Sequence, residues 1–274
     1  MNRATRRGAV LGAAALLTAA GATDAAAQSI LDRLRQAANV ARTLLPISTD
    51  KEVEIGRGIA ATIAGRYPVS TDAALTRYVN LVGLTVASQD PRGDIDYRFA
   101  VLETPTVNAY AAPGGYIFVT RGALAIMHSE AELAAVLAHE VGHVNRKHVI
   151  NQIRKSDTMR EVKDQLDLRG AALDQVVGTG TNALFMGLSR EDELEADSLG
   201  LEYASAAGYD PGALAAFVTR LNQHAGEGPV EEFFATHPKP DERVDRLRDI
   251  AQREHLGAGA ALEARFRQAV GGAR

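Results

Sequence analysis

The chain has 274 residues, 46% apolar and 23% charged, with a formal net charge of −4. That make-up suits a globular domain with a sizeable core, and the mild acidity argues against a nucleic-acid partner held through its phosphates. There is no cysteine, which excludes disulfides, thiolate zinc sites, a cysteine nucleophile and a lipid-modified cysteine anchor; any transition metal must use His, Asp or Glu.

Arg3, Arg6 and Arg7 precede the apolar run GAVLGAAALLTAAG, and small residues follow at Ala25 and Ala27. This is the layout of a secretory signal peptide over residues 1–27, cleaved before Gln28. A membrane anchor is the alternative, but a spanning helix needs about 20 strongly apolar residues, and this run is short and alanine-rich. The adjacent Arg6 and Arg7 leave the Sec and twin-arginine routes both open. The expectation is a soluble mature chain, residues 28–274, in a bacterial periplasm.

Residues 29–45 carry a helical apolar stripe that Pro46 ends. Residues 50–65 and 71–88 read as two more helices, the second capped by Asp72. QDPRGD is a turn cluster, and YRFAVLE alternates like a strand. TVNAYAAPGGYIFVT reads as a β-hairpin turning at Pro-Gly-Gly, followed by a short helix over 122–127. Ser129 to Glu132 is a capping box, S-x-x-E, that opens the next helix. Residues 156–185 read as a charged helical segment ending in a mobile GTGTN stretch, a candidate lid. Ser189 caps a helix to about Ala206, and Asp210-Pro211 starts another. ATHPKPDE is a loop before a helix over 241–254, and a terminal helix ends near Val270. The fold class expected is α+β, mainly helical, with a small hairpin or sheet.

The capping box leads into LAHEVGHVNRKH. On a helix, His139 and His143 lie on one face and can point both imidazoles at one ion. Glu140, one residue on, can reach a zinc-bound water whose pKa the ion lowers, and take its proton. Gly142 leaves room for a neighbouring element. Two surface histidines four residues apart are the bland alternative. His148 falls about 140° around from His143 and cannot join the same ion from that helix. The third ligand must come from elsewhere.

SREDELEADSLG supplies it. Glu191, Glu195, Ser198 and Glu202 share a wholly polar face, read as solvated. Glu193, Asp197, Gly200 and Ala204 share a face that is acidic at one end and small along the rest, suited to close helix packing. Glu193 is therefore the expected third ligand, and Asp197 the group that hydrogen-bonds a ligand histidine and fixes its tautomer. The alternative is an ordinary acidic helix start.

HEVGH followed about fifty residues later by Glu193-x-x-x-Asp197 resembles the gluzincin metalloproteases of the HtpX, BepA and CAAX-prenyl-protease type, metallopeptidase family forty-eight. NAYAAPGGYIFVTRGAL resembles that family's hairpin before the active helix, and THPKPDERVDRL its late T-H-P…R element. The likeness spans about residues 50–250. It implies a zincin-like fold and a zinc endopeptidase with one Zn2+ per chain, His139, His143 and Glu193 as ligands and Glu140 as base. It also implies that His237 and Arg243 lie by the site, stabilising the tetrahedral intermediate or, for His237, blocking the metal reversibly. As an exposed edge strand, GYIFVT would take an extended substrate as an added strand; a packed inner strand is the alternative. The chain lacks the membrane helices and helical repeats of these relatives. A single-domain exported member acting on misfolded or unfolded envelope proteins, outer-membrane proteins among them, is therefore expected. A periplasmic chaperone or assembly factor that seldom cuts, and a metal-dependent hydrolase of another bond, are the competing classes.

Overall fold

The computed structural model describes residues 47–158, 169–226, 228–237 and 241–271. The expected signal peptide, the 29–45 helix and part of the 156–185 segment lie outside these residues.

Helix α1 (Thr49–Arg66) begins at Ser48, whose side chain accepts from the Lys51 N–H, and buries Ile55, Ile59 and Ile63 in one i, i+4 row. Asp72 caps α2 (Ala73–Ala87), accepting from the N–H groups of Ala74 and Leu75. Strands β1 (Arg98–Leu102), β2 (Ala109–Ala112) and β3 (Tyr116–Thr120) form one sheet in the order β1-β3-β2. β3 runs parallel to β1 and antiparallel to β2. The hairpin turns through a 3-10 turn over Pro113–Gly115, with Gly114 at φ 71°, a left-handed conformation that suits glycine.

GYIFVT is thus the central strand, not an edge. Ile117 and Val119 face one core and Phe118 the other. Burial on both faces explains its unbroken apolar run. The edges belong to β1 and β2. One core lies between the sheet, α2 and the later helices; the other lies between the sheet and α1.

A short helix, α3 (Arg121–Ile126), leads to α4 (Glu130–Asn145), which carries HEVGH and is buried along almost its whole length. Ser129 accepts from the Glu132 N–H at 3.2 Å. The expected box closes only halfway. The Glu132 carboxylate takes the His128 N–H, one residue before the cap, at 2.8 Å, and a charge-assisted pair from the Arg220 guanidinium at 2.7 and 2.9 Å.

After α4, Lys147 adopts a left-handed φ of 57° and the chain turns into α5 (His148–Lys155). α6 (Ala171–Met186) contains GTGTN. That stretch, marked as mobile by its composition, is helical, and Gly180 lets α6 seat against Ile59 and Ile153. α7 (Arg190–Ala206) opens with a complete capping box between Ser189 and Asp192. α8 (Ala213–Gln223), α9 (Gly228–Thr236), α10 (Asp241–Arg253) and α11 (Glu263–Gly271) follow. α9 has no counterpart in the sequence reading. Among the described residues no helix is long and apolar enough to cross a membrane.

The most extensive helix pairing is α4 with α7. A Cβ on Gly142 would stand 3.2 Å from the Ala196 carbonyl oxygen, and one on Gly200 would stand 2.9 Å from the His139 Cα and N. The two backbones therefore touch where the histidines sit. Gly200→Val should force them apart, lowering stability by about 1–3 kcal/mol. Thermal unfolding checks this; an unchanged midpoint would contradict the close contact.

Candidate metal centre

The α4–α7 contact brings His139 and His143 against Glu193, the fourth residue of α7. His139 Nε2 and His143 Nε2 are 3.0 Å apart. Glu193 Oε1 is 3.5 Å from His143 Nε2, and Oε2 is 3.6 Å from His139 Nε2. With His237 these side chains place four ligand atoms within 4.8 Å of one another, all from buried residues. Zinc bonds of about 2.0–2.1 Å in a tetrahedron set neighbouring ligand atoms about 3.3 Å apart. The separation of the two imidazole nitrogens and the approach of each to one of the two Glu193 oxygens fall around that value.

The charge balance agrees. Glu193 is only 1% exposed, yet neither of its carboxylate oxygens has a hydrogen-bond partner. A buried carboxylate in that state is costly unless a cation meets it. Arg243 supplies part of the compensation, with Nη1 3.4 Å from Glu193 Oε2. The donor set of two imidazoles and a carboxylate fits a divalent metal ion.

Asp197 lies one turn beyond Glu193. Its Oδ1 is 3.0 Å from His139 Nδ1, so His139 is held from behind with Nε2 facing the cluster. Arg243, on α10, grips the same carboxylate through Nε and Nη2, both at 2.7 Å. Burial alone would raise the Asp197 pKa, but the Arg243 charge and the His139 contact outweigh it and hold the carboxyl well below the usual range. His143 is pushed the other way. Burial and the neighbouring charges of His139, His148 and His237 lower its pKa far below the ordinary imidazole value, which keeps it in the neutral form a metal requires.

Glu140 shares the buried pocket, with Oε1 3.7 Å from His237 Nε2. His237 sits just past the end of α9. Its Nδ1 pairs with Thr236 Oγ1 at 2.9 Å, and its ring stacks on Phe233 at 4.6 Å. Only Nε2 is left to face the cluster. Burial disfavours charging this ring, but the Glu193 and Glu140 carboxylates outweigh it and raise its pKa. Leu184 of α6, Leu188 and Thr236 close the cavity, and Ala109, Tyr110 and Ala111 of edge strand β2 form its wall.

The structure therefore brings together all seven residues singled out from the sequence: His139, Glu140, His143, Glu193, Asp197, His237 and Arg243. His148, excluded above as a ligand, is indeed outside the four-residue cluster, but it is buried with Nδ1 2.8 Å from His143 Nδ1, a contact the spacing does not show. The helical angle does not carry to His148, because α4 ends at Asn145. Nothing in VNRKH marks the turn at Lys147.

A buried HExxH helix crossed at backbone contact by a second helix bearing a glutamate and an aspartate defines a zincin-like metallopeptidase domain. The description Peptidase family M48 matches residues 73–251, and the chain belongs to that family. Among its relatives, the beta-barrel assembly-enhancing protease of Escherichia coli (strain K12) is 24% identical over 217 residues, 75% of this chain and 45% of that protein. The putative beta-barrel assembly-enhancing protease of Vibrio cholerae is 29% identical over 250 residues, 86% of this chain and 51% of that protein. The mitochondrial metalloendopeptidase OMA1 of Schizosaccharomyces pombe is 31% identical over 179 residues, 64% of this chain and 52% of that protein. The chain spans about half the length of these relatives.

Arg243 balances two buried carboxylates, so its removal should be felt without any metal. Arg243→Ala is expected to destabilise the metal-free chain by about 3–5 kcal/mol. Urea unfolding in the presence of chelator measures it, and a loss within experimental error would show that Asp197 and Glu193 do not depend on it.

Proposed function

We propose that the chain is an exported zinc metalloendopeptidase that hydrolyses peptide bonds in misfolded or unfolded envelope proteins. The carrying observation is the buried trio of His139, His143 and Glu193 with Glu140 beside it. Zinc suits two imidazoles and a carboxylate, and when bound it supplies Lewis acidity toward a carbonyl oxygen and toward water. Glu140 accepts the proton of the attacking water and delivers it to the leaving amine. Asp197 holds His139 in its Nδ1–H tautomer. His237 Nε2 and Arg243 Nη1 are the donors on hand for the oxyanion. Arg243 Nε and Nη2 are committed to Asp197, so Arg243 can help only through Nη1.

The outer edge of β2 (Ala109–Ala112), buried as the wall of the closed cavity, takes an extended chain as an added strand once that cavity opens. Backbone hydrogen bonds there ignore side-chain identity, which suits unfolded substrates of many sequences. The signal-like N-terminus over residues 1–27 supports export, with residues 28–274 as the mature single domain in the periplasm. The two bacterial relatives named for β-barrel assembly support outer-membrane proteins among the substrates.

One observation favours a second reading. His139, Glu140, His143 and Glu193 are all buried, behind Leu184, Leu188 and His237. A peptide reaches Glu140 only if α6 or the His237 segment moves. A chain that stayed closed would act as a chaperone or assembly factor with little proteolysis.

Casein digestion separates these readings. The zinc-loaded chain should cut, and Glu140→Gln, checked to hold equal zinc, should be slower by about 10²–10⁴-fold. Undiminished cutting by Glu140→Gln would remove Glu140 as the base. No cutting by either form, with zinc present in both, would put the assembly-factor reading in its place.

A further inference from the structure

We propose that His148, backed by Glu195, is a positioning residue for the metal centre: it accepts the Nδ1 proton of His143 and so keeps His143 Nε2 bare and aimed at the ion. The inference rests on the reading of His143 as a metal ligand and adds to it a second histidine that no ligand motif marks.

The argument is one of proton accounting. His143 Nδ1 and His148 Nδ1 are 2.8 Å apart, and between two ring nitrogens at that distance lies one proton. If His143 offers Nε2 to a metal, its single ring proton sits on Nδ1. His148 Nδ1 must then be the acceptor, which places the His148 proton on Nε2. That nitrogen is 3.2 Å from Glu195 Oε2 and 3.6 Å from Asp192 Oδ1. Every donor in the chain His143, His148, Glu195 finds an acceptor, with one allowed polarity. The opposite polarity would put the His143 proton on Nε2, in the face that meets Glu193 and His139. Asp197 does the corresponding work for His139, 3.0 Å from its Nδ1. Each candidate ligand histidine thus has a polar group behind it: His148 in hydrogen-bond contact with His143, and Asp197 at ion-pair distance from His139.

The fold holds His148 in this place. Lys147 takes the left-handed conformation that ends α4 and swings His148 back beneath His143. The buried Glu52 carboxylate anchors the turn, with Lys147 Nζ at 2.9 Å. Arg92 braces it from the other side, bonding both Glu52 oxygens at 3.0 and 3.1 Å and the Val144 carbonyl at 3.0 Å. Glu195 is held as well, its Oε1 2.9 Å from Arg146 Nε. The α7 face read from sequence as solvated is so, and from it the half-exposed Glu195 reaches in to His148.

Zinc affinity of the full chain, measured by competition with a chelator, tests this without reference to proteolysis. His148→Phe should bind zinc about 10–100-fold more weakly while its metal-free circular dichroism matches wild type. His148→Asn, whose amide oxygen lies near the place of Nδ1, should recover most of the loss. Wild-type affinity in His148→Phe, or an Asn variant as weak as the Phe variant, would overturn the positioning role. His143→Ala separates the levels: if it too binds zinc normally, the metal-centre reading itself fails. Should His148→Phe not fold, imidazole NMR of the zinc-loaded wild-type chain decides. Protons on His143 Nδ1 and His148 Nε2 support the relay; a proton on His148 Nδ1 overturns it.

Discussion

The burial of one carboxylate, Glu193, against two imidazoles is the constraint on which the rest of the structure depends. A carboxylate with no hydrogen-bond donor, 1% exposed, has to be met by positive charge, and the helices have to approach closely enough for that to happen. Gly142 and Gly200 allow the approach by leaving the α4 and α7 backbones in contact. Arg243 brings in α10, which ties Asp197 and Glu193 to a third helix. The charges are arranged so that each excess at one layer is answered at the next: Glu193 by Arg243 and the ion it is built to hold, Arg243 by Asp197, Asp197 by His139.

Much of this was legible because it follows helical periodicity. HEVGH places two histidines four apart, Glu193 and Asp197 are four apart, and both pairs lie on helices whose caps, Ser129 and Ser189, are written in the local sequence. The mainly helical class, the Pro-Gly-Gly hairpin and the Asp72 cap were readable for the same reason: each is decided within four residues. What was not legible depends on partners far along the chain. Glu132 abandons its own cap for Arg220, 88 residues away. GTGTN looks like a breaker until Ile59 and Ile153 are placed beside Gly180. β3 reads as an edge or a centre until β1 is known to pair with it. Lys147 bends the chain where Glu52 and Arg92 brace it, and because that bend depends on distant partners, the contact of His148 with His143 is not readable from helical spacing.

The site is firmly built and closed, and these properties pull in opposite directions. Asp197, His148 and Arg243 stand behind His139, His143 and Glu193, at 3.0, 2.8 and 3.4 Å respectively. The front is lined by the end of α6 with Leu184, the following Leu188, and the residue just past α9, His237. Glu232 of α9 is joined to Tyr67 and Tyr110 by hydrogen bonds at 2.7 and 2.5 Å, which links the His237 helix to the wall strand β2. The front of the cavity is thus formed by α6 and the segment after α9, whereas His139, His143 and Glu193 stand on α4 and α7 with α10 behind them.

The most direct test of the central claim is anomalous diffraction at the zinc edge from crystals of the zinc-loaded chain. The account predicts one ion per chain, within about 2.0–2.2 Å of His139 Nε2, His143 Nε2 and a Glu193 carboxylate oxygen. An ion bound elsewhere, or bound through the histidines with Glu193 turned away, would contradict it.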